Sequence, residues 1–415
     1  MRLHGGIYRR AVYLMVSDGG KETGEKMEFA KRMNYFGEGV FATLMKMKQD
    51  KISSGEKVID LSIGAPNIPP ADHILKVMAE EVVKKDNYIY AISDTKELHE
   101  AVAQWYDRRY GVMLDADTEI VSLLGSQEGL SHIALSIADS GDVVLVPDPC
   151  YPVFADGPRI AGAEVYYMPL RKEKDYLIDF DEIPEEIARR AKLMVVSYPN
   201  NPTTAMAPDW FYDELIAFAR KYDIIVLHDN AYSELVFDGA SCGSFLAHEG
   251  AKEVGVEFNS LSKTYGLAGA RVGFCVGNPQ VVKMLTLLKS NMDYGMFLPI
   301  QKAAIAAITG DQSCVVATRQ AYENRRNSLC DGLTSIGWKV DRCPGTMFVW
   351  AKLPEGYENS VEFVKLLLDK AGVIVTPGSA FGPSGEGYVR MALVQDEPEI
   401  REAIANIEKS GILDQ

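Results

Sequence analysis

The apolar positions along this chain fall into blocks of two kinds. Leu98, Ala101, Val102, Trp105 and Tyr106 recur at the three- and four-residue spacing of one helical face, between a D-x-x-E start signal at Asp94 and Glu97 and a stop at Gly111. Residues 119–124 form a short, mostly apolar run instead, and similar runs follow at 143–146, 164–167, 193–197, 224–228 and 271–277, with helical patterns such as 130–138 and 210–222 between them. Most runs are continuously apolar rather than alternating, which is the pattern of parallel strands covered on both faces. The fold class that follows is α/β, with a three-layer, doubly wound, mostly parallel sheet. Upstream lie a helical pattern at 28–49, a short strand breaking into the Gly/Pro loop V-I-D-L-S-I-G-A-P-N-I-P-P at 58–70, a helix at 72–85 and the aromatic patch Tyr88, Ile89, Tyr90. Near the C-terminus Phe363, Val364, Leu366 and Leu367 mark a helix at 361–370.

Composition narrows the function. With 415 residues, 47% hydrophobic and 24% charged, the chain buries a large core and divides into two or three domains. A net charge of -15 without clustered Lys and Arg excludes a nucleic-acid partner. The longest apolar runs are far too short to span a bilayer. Six cysteines without a C-x-x-C pair predict neither zinc nor a disulfide framework and suit a reducing cytoplasm. Residues 1–26 are basic, briefly apolar and then linker-like, and read either as a disordered extension or as a stretch that is not translated, Met27 and Met33 being candidate starts; they have no assigned role.

In doubly wound sheets ligands sit at the carboxyl ends of strands, and polar signals occur at those ends here. G-S-Q-E-G (125–129) opens a helix whose free N–H groups suit a phosphate, although such turns also carry Gly and Ser for geometry alone. D-P-C-Y-P (148–152) holds Tyr151 in a stiff turn, to cover a flat ligand or simply to pack. S-Y-P-N-N-P-T-T-A (197–205) ends a strand with Asn201, restricted by the proline after it. H-D-N-A-Y (228–232) ends the next with Asp229 and Tyr232; a carboxylate on so apolar a strand needs a cation, while His228 reads as a packed residue rather than a metal ligand. V-E-F-N-S-L-S-K-T-Y-G-L-A-G-A-R-V-G-F (256–274) sets Lys263 between two β-type runs with Arg271 eight positions on, an amine suited to a cofactor aldehyde or to a surface loop. G-A-S-C-G (239–243) matches a hydrolase nucleophile motif but lacks its strand-to-helix context.

Taken in order, these motifs and a late G-Y-V-R-M-A resemble the fold type I, class I/II pyridoxal-phosphate aminotransferases, from about Tyr35 to the C-terminus, with Asn201, Asp229, Lys263 and Arg271 spaced by 28, 34 and 8 residues. The resemblance implies a large cofactor-binding domain at 67–297 and a smaller α+β domain made of 27–66 and 298–415. It implies that Lys263 binds the cofactor aldehyde and then carries the proton at Cα, and that Asp229 keeps the ring nitrogen protonated so that the ring is an electron sink. Asn201 and Tyr232 would bond the ring hydroxylate and Tyr151 would stack on the ring. The backbone of Ser126 and Gln127, with Ser260 and Arg271, would hold the phosphate. Arg390, with Asn201, would clamp the substrate α-carboxylate, Gly64 closing over it. A homodimer with shared active sites is implied, with Tyr90, or else Tyr88, reaching the partner's phosphate, although Y-A-I-S-D-T lacks the usual glycine-rich turn. Thr204 stands where many members have glycine, so that turn must avoid positive φ or tolerate strain.

Residues 259–274 and L-K-S-N-M-D-Y-G-M-F-L-P-I-Q look most similar to the branch holding alanine and LL-diaminopimelate aminotransferases. Lys289 is the only cation from 286 to 300, so the expected donor is a small neutral or diamino-dicarboxylic L-amino acid, with a 2-oxo acid such as 2-oxoglutarate as acceptor and aspartate a poor donor. C–S β-elimination on the same lysine and aspartate, and a non-catalytic effector sensor, remain as alternatives.

Overall fold

A computed structural model of the chain describes residues 29–36 and 40–414. The extension expected at 1–26 lies outside them. The helical pattern at 28–49 resolves into a 3-10 turn at Lys31–Tyr35 and an α-helix at Val40–Ser53.

Twelve strands occur among the described residues, in chain order β1 (Ile59–Asp60), β2 (Ile120–Leu123), β3 (Val143–Asp148), β4 (Glu164–Pro169), β5 (Ala191–Ser197), β6 (Ile225–Asp229), β7 (Gly255–Ser260), β8 (Gly273–Gly277), β9 (Phe348–Lys352), β10 (Val373–Ile374), β11 (Thr376–Pro377) and β12 (Tyr388–Ala392). Seven make the central sheet in the order β2-β8-β7-β6-β5-β3-β4. β8 alone runs against its neighbours. It begins two residues later than its apolar run because Arg271 sits at φ 56°, which no strand accommodates.

Both faces of this sheet are covered. Val143, Leu145, Met194 and Val196 enter a core shared with Trp105, Phe211 and Leu215, while the alternate residues Val144, Val146, Leu193 and Val195 enter one shared with Leu130, Phe154 and Leu285. Alternation has no polar side to show, which is why the runs are continuously apolar, each fully buried Val or Leu contributing roughly 1.5–3 kcal/mol.

A separate core, smaller than the two faces of the sheet taken together, gathers Leu44, Ile59 and Leu61 with Leu329, Trp338, Phe348, Phe363, Val389 and Ile400. Its strands form a parallel pair, β1 with β10, and the antiparallel order β11-β12-β9. The cores do not part at residue 298. Helix Leu298–Thr309 packs on helix Asp72–Val82, and its Ala303, Ala304, Ala307 and Ile308 lie in the large core. The following helix, Ser313–Ser335, begins there with Val315 and passes into the small core at Tyr322, so we place the boundary within it.

Two local expectations are corrected. The helix carrying Leu98 to Tyr106 is Lys96–Tyr110, with Thr95 at its N-cap and Gly111 closing it in the left-handed region. Asp94 does not cap it; its carboxylate accepts from the Ser122 N–H at 2.8 Å and meets His99 Nε2 at 2.9 Å, so a better partner has drawn it to β2. The pattern at 130–138 is two pieces, Ser126–His132 and Ala134–Ile137, joined at Ile133, which keeps helical angles.

Candidate active site

β5, β6 and β7 are adjacent and parallel, so their carboxyl ends deliver Asn201, Asp229 and Lys263 to one place. Asp229 closes β6 and is buried, and its Oδ1 has no hydrogen-bond partner. Burial pushes this carboxyl up to about 6, against the pull of His228, the Ala231 N–H and Lys263. Lys263, in the short helix Leu261–Thr264 after β7, donates from Nζ to the Gly64 carbonyl at 3.0 Å and forms no ion pair among the described residues. Burial, helped by Arg390 and Arg271, lowers its amine to about 8 in spite of Asp229. A desolvated lysine of this kind is a nucleophile near neutral pH.

Arg390 lies on β12, only 6% exposed, with no acid beside it. Its Nη1 donates to Asn201 Oδ1 at 2.9 Å and its Nη2 to the Ser62 carbonyl at 3.1 Å; Nε has no partner. The guanidinium carbon sits 3.9 Å from the ring centre of Phe348 and 4.5 Å from that of Phe381. Burial lowers its value to about 10. A cation taken out of water and given only neutral partners is a standing site for a carboxylate.

The other end of the cluster is also cationic. Two residues beyond the end of β2, Gly125 at φ 82° caps the start of helix Ser126–His132. A Cβ on Gly125 would lie 2.2 Å from Nη2 of Arg271, so that guanidinium lies directly across the free N–H groups of the helix start. Ser260 Oγ stands nearby in the chain, accepting from the Ser262 N–H at 3.2 Å. Tyr151 spans the two ends. Its hydroxyl donates to Gln127 Oε1 at 2.8 Å, and burial raises it, with Asp229 adding to the effect and Arg390 and Arg271 opposing it. Tyr232 is buried edge-on to Phe348 at 5.8 Å, its hydroxyl raised by burial and eased by Arg390.

Gly64 is required for space. A Cβ there would meet the Phe348 ring at 2.5 Å, and it is the Gly64 carbonyl that touches another site residue, Lys263. Thr204 accepts the strain, at φ 66° with its N–H donating to the Asn200 carbonyl at 2.9 Å. Tyr90 stands apart from the cluster, 81% exposed and edge-on to Tyr294. Tyr88 turns its hydroxyl inward to the Val82 carbonyl at 2.8 Å. Sequence reasoning missed Ser62, Phe348 and Phe381; the aromatic in G-T-M-F was visible, but nothing tied it to Arg390.

Two other candidates fall away. G-A-S-C-G runs through a turn and irregular chain with no strand-to-helix elbow. Glu128, His132 and Asp293 converge within 4.8 Å, but Lys289 Nζ donates to Glu128 at 2.8 Å and to Asp293 at 3.2 Å, supplying the positive charge itself.

No helix among the described residues is long and apolar enough to cross a membrane. The chain matches the family described as aminotransferase class I and II over residues 56–407. It is 44% identical to LL-diaminopimelate aminotransferase of Moorella thermoacetica over 92% of this chain and 98% of that protein. LL-diaminopimelate aminotransferase 2 of Nostoc sp. is 42% identical over 93% and 99% of the two chains. Among solved structures, substrate-bound BacF from Bacillus subtilis superposes with a TM-score of 0.89 at 35% identity, over 92% and 98% of the chains. The probable N-succinyldiaminopimelate aminotransferase of Thermus thermophilus gives 0.85 at 35% identity, over 90% and 100%.

Proposed function

Because the chain belongs to the aminotransferase class I and II family, whose members are pyridoxal-phosphate-dependent enzymes, we propose that the Lys263–Asp229–Arg390 cluster is its active site and LL-diaminopimelate its amino donor, with 2-oxoglutarate as acceptor. The observation that carries the site assignment is the unpartnered, buried Oδ1 of Asp229. The residues fit the cofactor: a buried carboxylate with one oxygen free to accept from the ring nitrogen, an amine without an acid for the aldehyde, and helix N–H groups beside Arg271 for the phosphate.

Bound there, pyridoxal phosphate supplies an aldehyde that takes up the amino group and a ring that stores the electron pair left at Cα. Asp229 would hold the proton on the ring nitrogen, Tyr151 would cover the ring, and Asn201 and Tyr232 would bond its hydroxyl. Ser126, Gln127, Ser260 and Arg271 anchor the phosphate. Arg390, fixed between two rings, takes the α-carboxylate and so orients the Cα–H bond toward Lys263, whose amine, once free, carries that proton.

Lys263's lowered value gives a direct test. The neutral amine is the reactive form, so the rate of cofactor uptake by the apo-enzyme should rise with pH through about 8 and then level off. An ordinary lysine would keep gaining to about 10.4. Stopped-flow absorbance reads the rate; a continued tenfold gain per pH unit beyond 9 would contradict the assignment.

The substrate assignment rests on the LL-diaminopimelate aminotransferases that the chain is similar to, and on Lys289. Lys289, the one cation of 286–300, is held by Glu128 and Asp293, so aspartate's short side chain finds no cation there, and the far carboxylates of the longer LL-diaminopimelate and 2-oxoglutarate must be held elsewhere in the site. A panel of amino donors with 2-oxoglutarate and pyruvate should give LL-diaminopimelate the highest kcat/KM and aspartate at most a hundredth of it, the rough value of one charged contact. Aspartate as best donor would overturn the assignment, and pyruvate and ammonia from cystathionine would favour a lyase. We further propose a homodimer: Val83, Tyr88, Ile89, Tyr90, Ile92 and Tyr294 are all exposed, Tyr90 edge-on to Tyr294, and a second copy would cover them while receiving Tyr90 at its phosphate. Free thiols suit a reducing cytoplasm.

A further inference from the structure

His228 and Glu257 are both fully buried, and the chemistry above uses neither. They stand in register across the β6–β7 pair, with His228 Nδ1 at 3.0 Å from Glu257 Oε2. Glu257 also accepts from the hydroxyls of Tyr106 at 3.0 Å and Ser244 at 2.9 Å and from the Phe245 N–H at 3.0 Å. Both oxygens thus receive hydrogen bonds, the arrangement that favours the carboxylate form. A buried anion needs a cation, and among the described residues no lysine or arginine pairs with it. The imidazole is the group that can supply the charge. Its other nitrogen, Nε2, lies 3.4 Å from the Tyr212 hydroxyl, which can accept from it. Tyr212 lies tilted against His248, ring centres 4.8 Å apart, with Tyr198 and Cys242 among the other titratable groups near it.

The next residue along β6 is Asp229. Successive strand side chains leave on opposite faces, so the imidazole lies behind the sheet and the carboxylate in front of it. We propose that His228, held as the imidazolium by Glu257, is a positioning residue that keeps Asp229 ionised in the loaded enzyme. The inference rests on Asp229 being the ring-nitrogen partner. Burial is the largest influence on Asp229, and His228 is the first of the groups opposing it, ahead of Lys263, with the negative Glu257 acting more weakly in the other sense. Lys263 cannot do this work alone, because its charge changes whenever it binds the cofactor, is released or carries a proton. His228 is fully buried on the far side of the sheet and takes no part in binding cofactor or substrate, so a charge there would not change hands during the cycle.

The test uses the holoenzyme and His228→Gln, with Glu257→Gln as a second variant. A positive ring nitrogen draws electrons from the conjugated cofactor, so a weaker hold on that proton should move the pH midpoint of its visible absorption band up by about one unit and lower kcat about tenfold, leaving donor KM within about twofold. A band midpoint and a kcat that both stay at the parent's values in a folded variant would overturn the proposal. Should neither variant fold, 15N spectra of the parent holoenzyme labelled at its six histidines decide it. The fully protected histidine must show both ring nitrogens protonated at pH 8, and a single protonated nitrogen would refute the imidazolium. Asp229→Asn separates the two readings. If it leaves the band midpoint unmoved, the Asp229 role fails; if it moves the midpoint and His228→Gln does not, only the His228 inference fails.

Discussion

Lys263→Ala is expected to lower kcat at least about 10⁴-fold at any donor concentration, since it removes both the covalent anchor and a general base that alone is worth roughly 10²–10⁴. No nearby group can replace it. The amine's one hydrogen bond is to the Gly64 carbonyl, and the other site cations, Arg390 and Arg271, do not give up protons at working pH. The fold should survive, because the change deletes a desolvated amine rather than a packed apolar side chain. Borohydride reduction of the parent and peptide mapping should place the cofactor adduct on Lys263. An adduct on another lysine, or an alanine variant within tenfold of the parent, would sink the assignment.

Asp229→Asn should lower kcat by about 10²–10³ while the cofactor stays bound, the usual loss when one preorganised charge is taken from an active site. Its effect on stability has the opposite sign. A carboxyl whose folded value, about 6, lies above its unfolded one opposes folding at every pH above both. Two units correspond to on the order of 3 kcal/mol at pH 8, fading to nothing by about pH 4. An amide is cheaper to bury than a charge. The apo form of Asp229→Asn should therefore melt above the parent at pH 8 and level with it at pH 4, by calorimetry. A lower melting temperature at pH 8 together with full activity would remove Asp229 from the site and from the role given to it.

The sheet was legible because covering both faces removes alternation and leaves uniform apolar runs such as Val143 to Val146. Asn201, Asp229 and Lys263 were legible for a related reason: polar residues stand out at the ends of such runs. What surrounds Arg390 was not. Ser62, Phe348 and Phe381 come from three distant segments, and nothing local marks an aromatic ring that will lie over a guanidinium. Periodicity shows that helix Leu298–Thr309 is buried on one face, but not against which core. The start at Asp94 failed because a side chain that can cap a helix can also bond elsewhere, and Ser122 and His99 offered more.

The pairing of β1 with β10 joins Ile59 to Val373, so one strand of the smaller core is made near the beginning of the chain and its partner near the end. At about 5–20 residues per second, a ribosome needs roughly 15–60 s to bring the second out after the first. Throughout that interval the central sheet can assemble from contiguous chain, while Leu44, Ile59 and Leu61 have no core to enter. During its own synthesis the protein therefore carries an unsheltered apolar segment at its leading end, where a holding chaperone would find it and where premature association with a neighbouring nascent chain would begin.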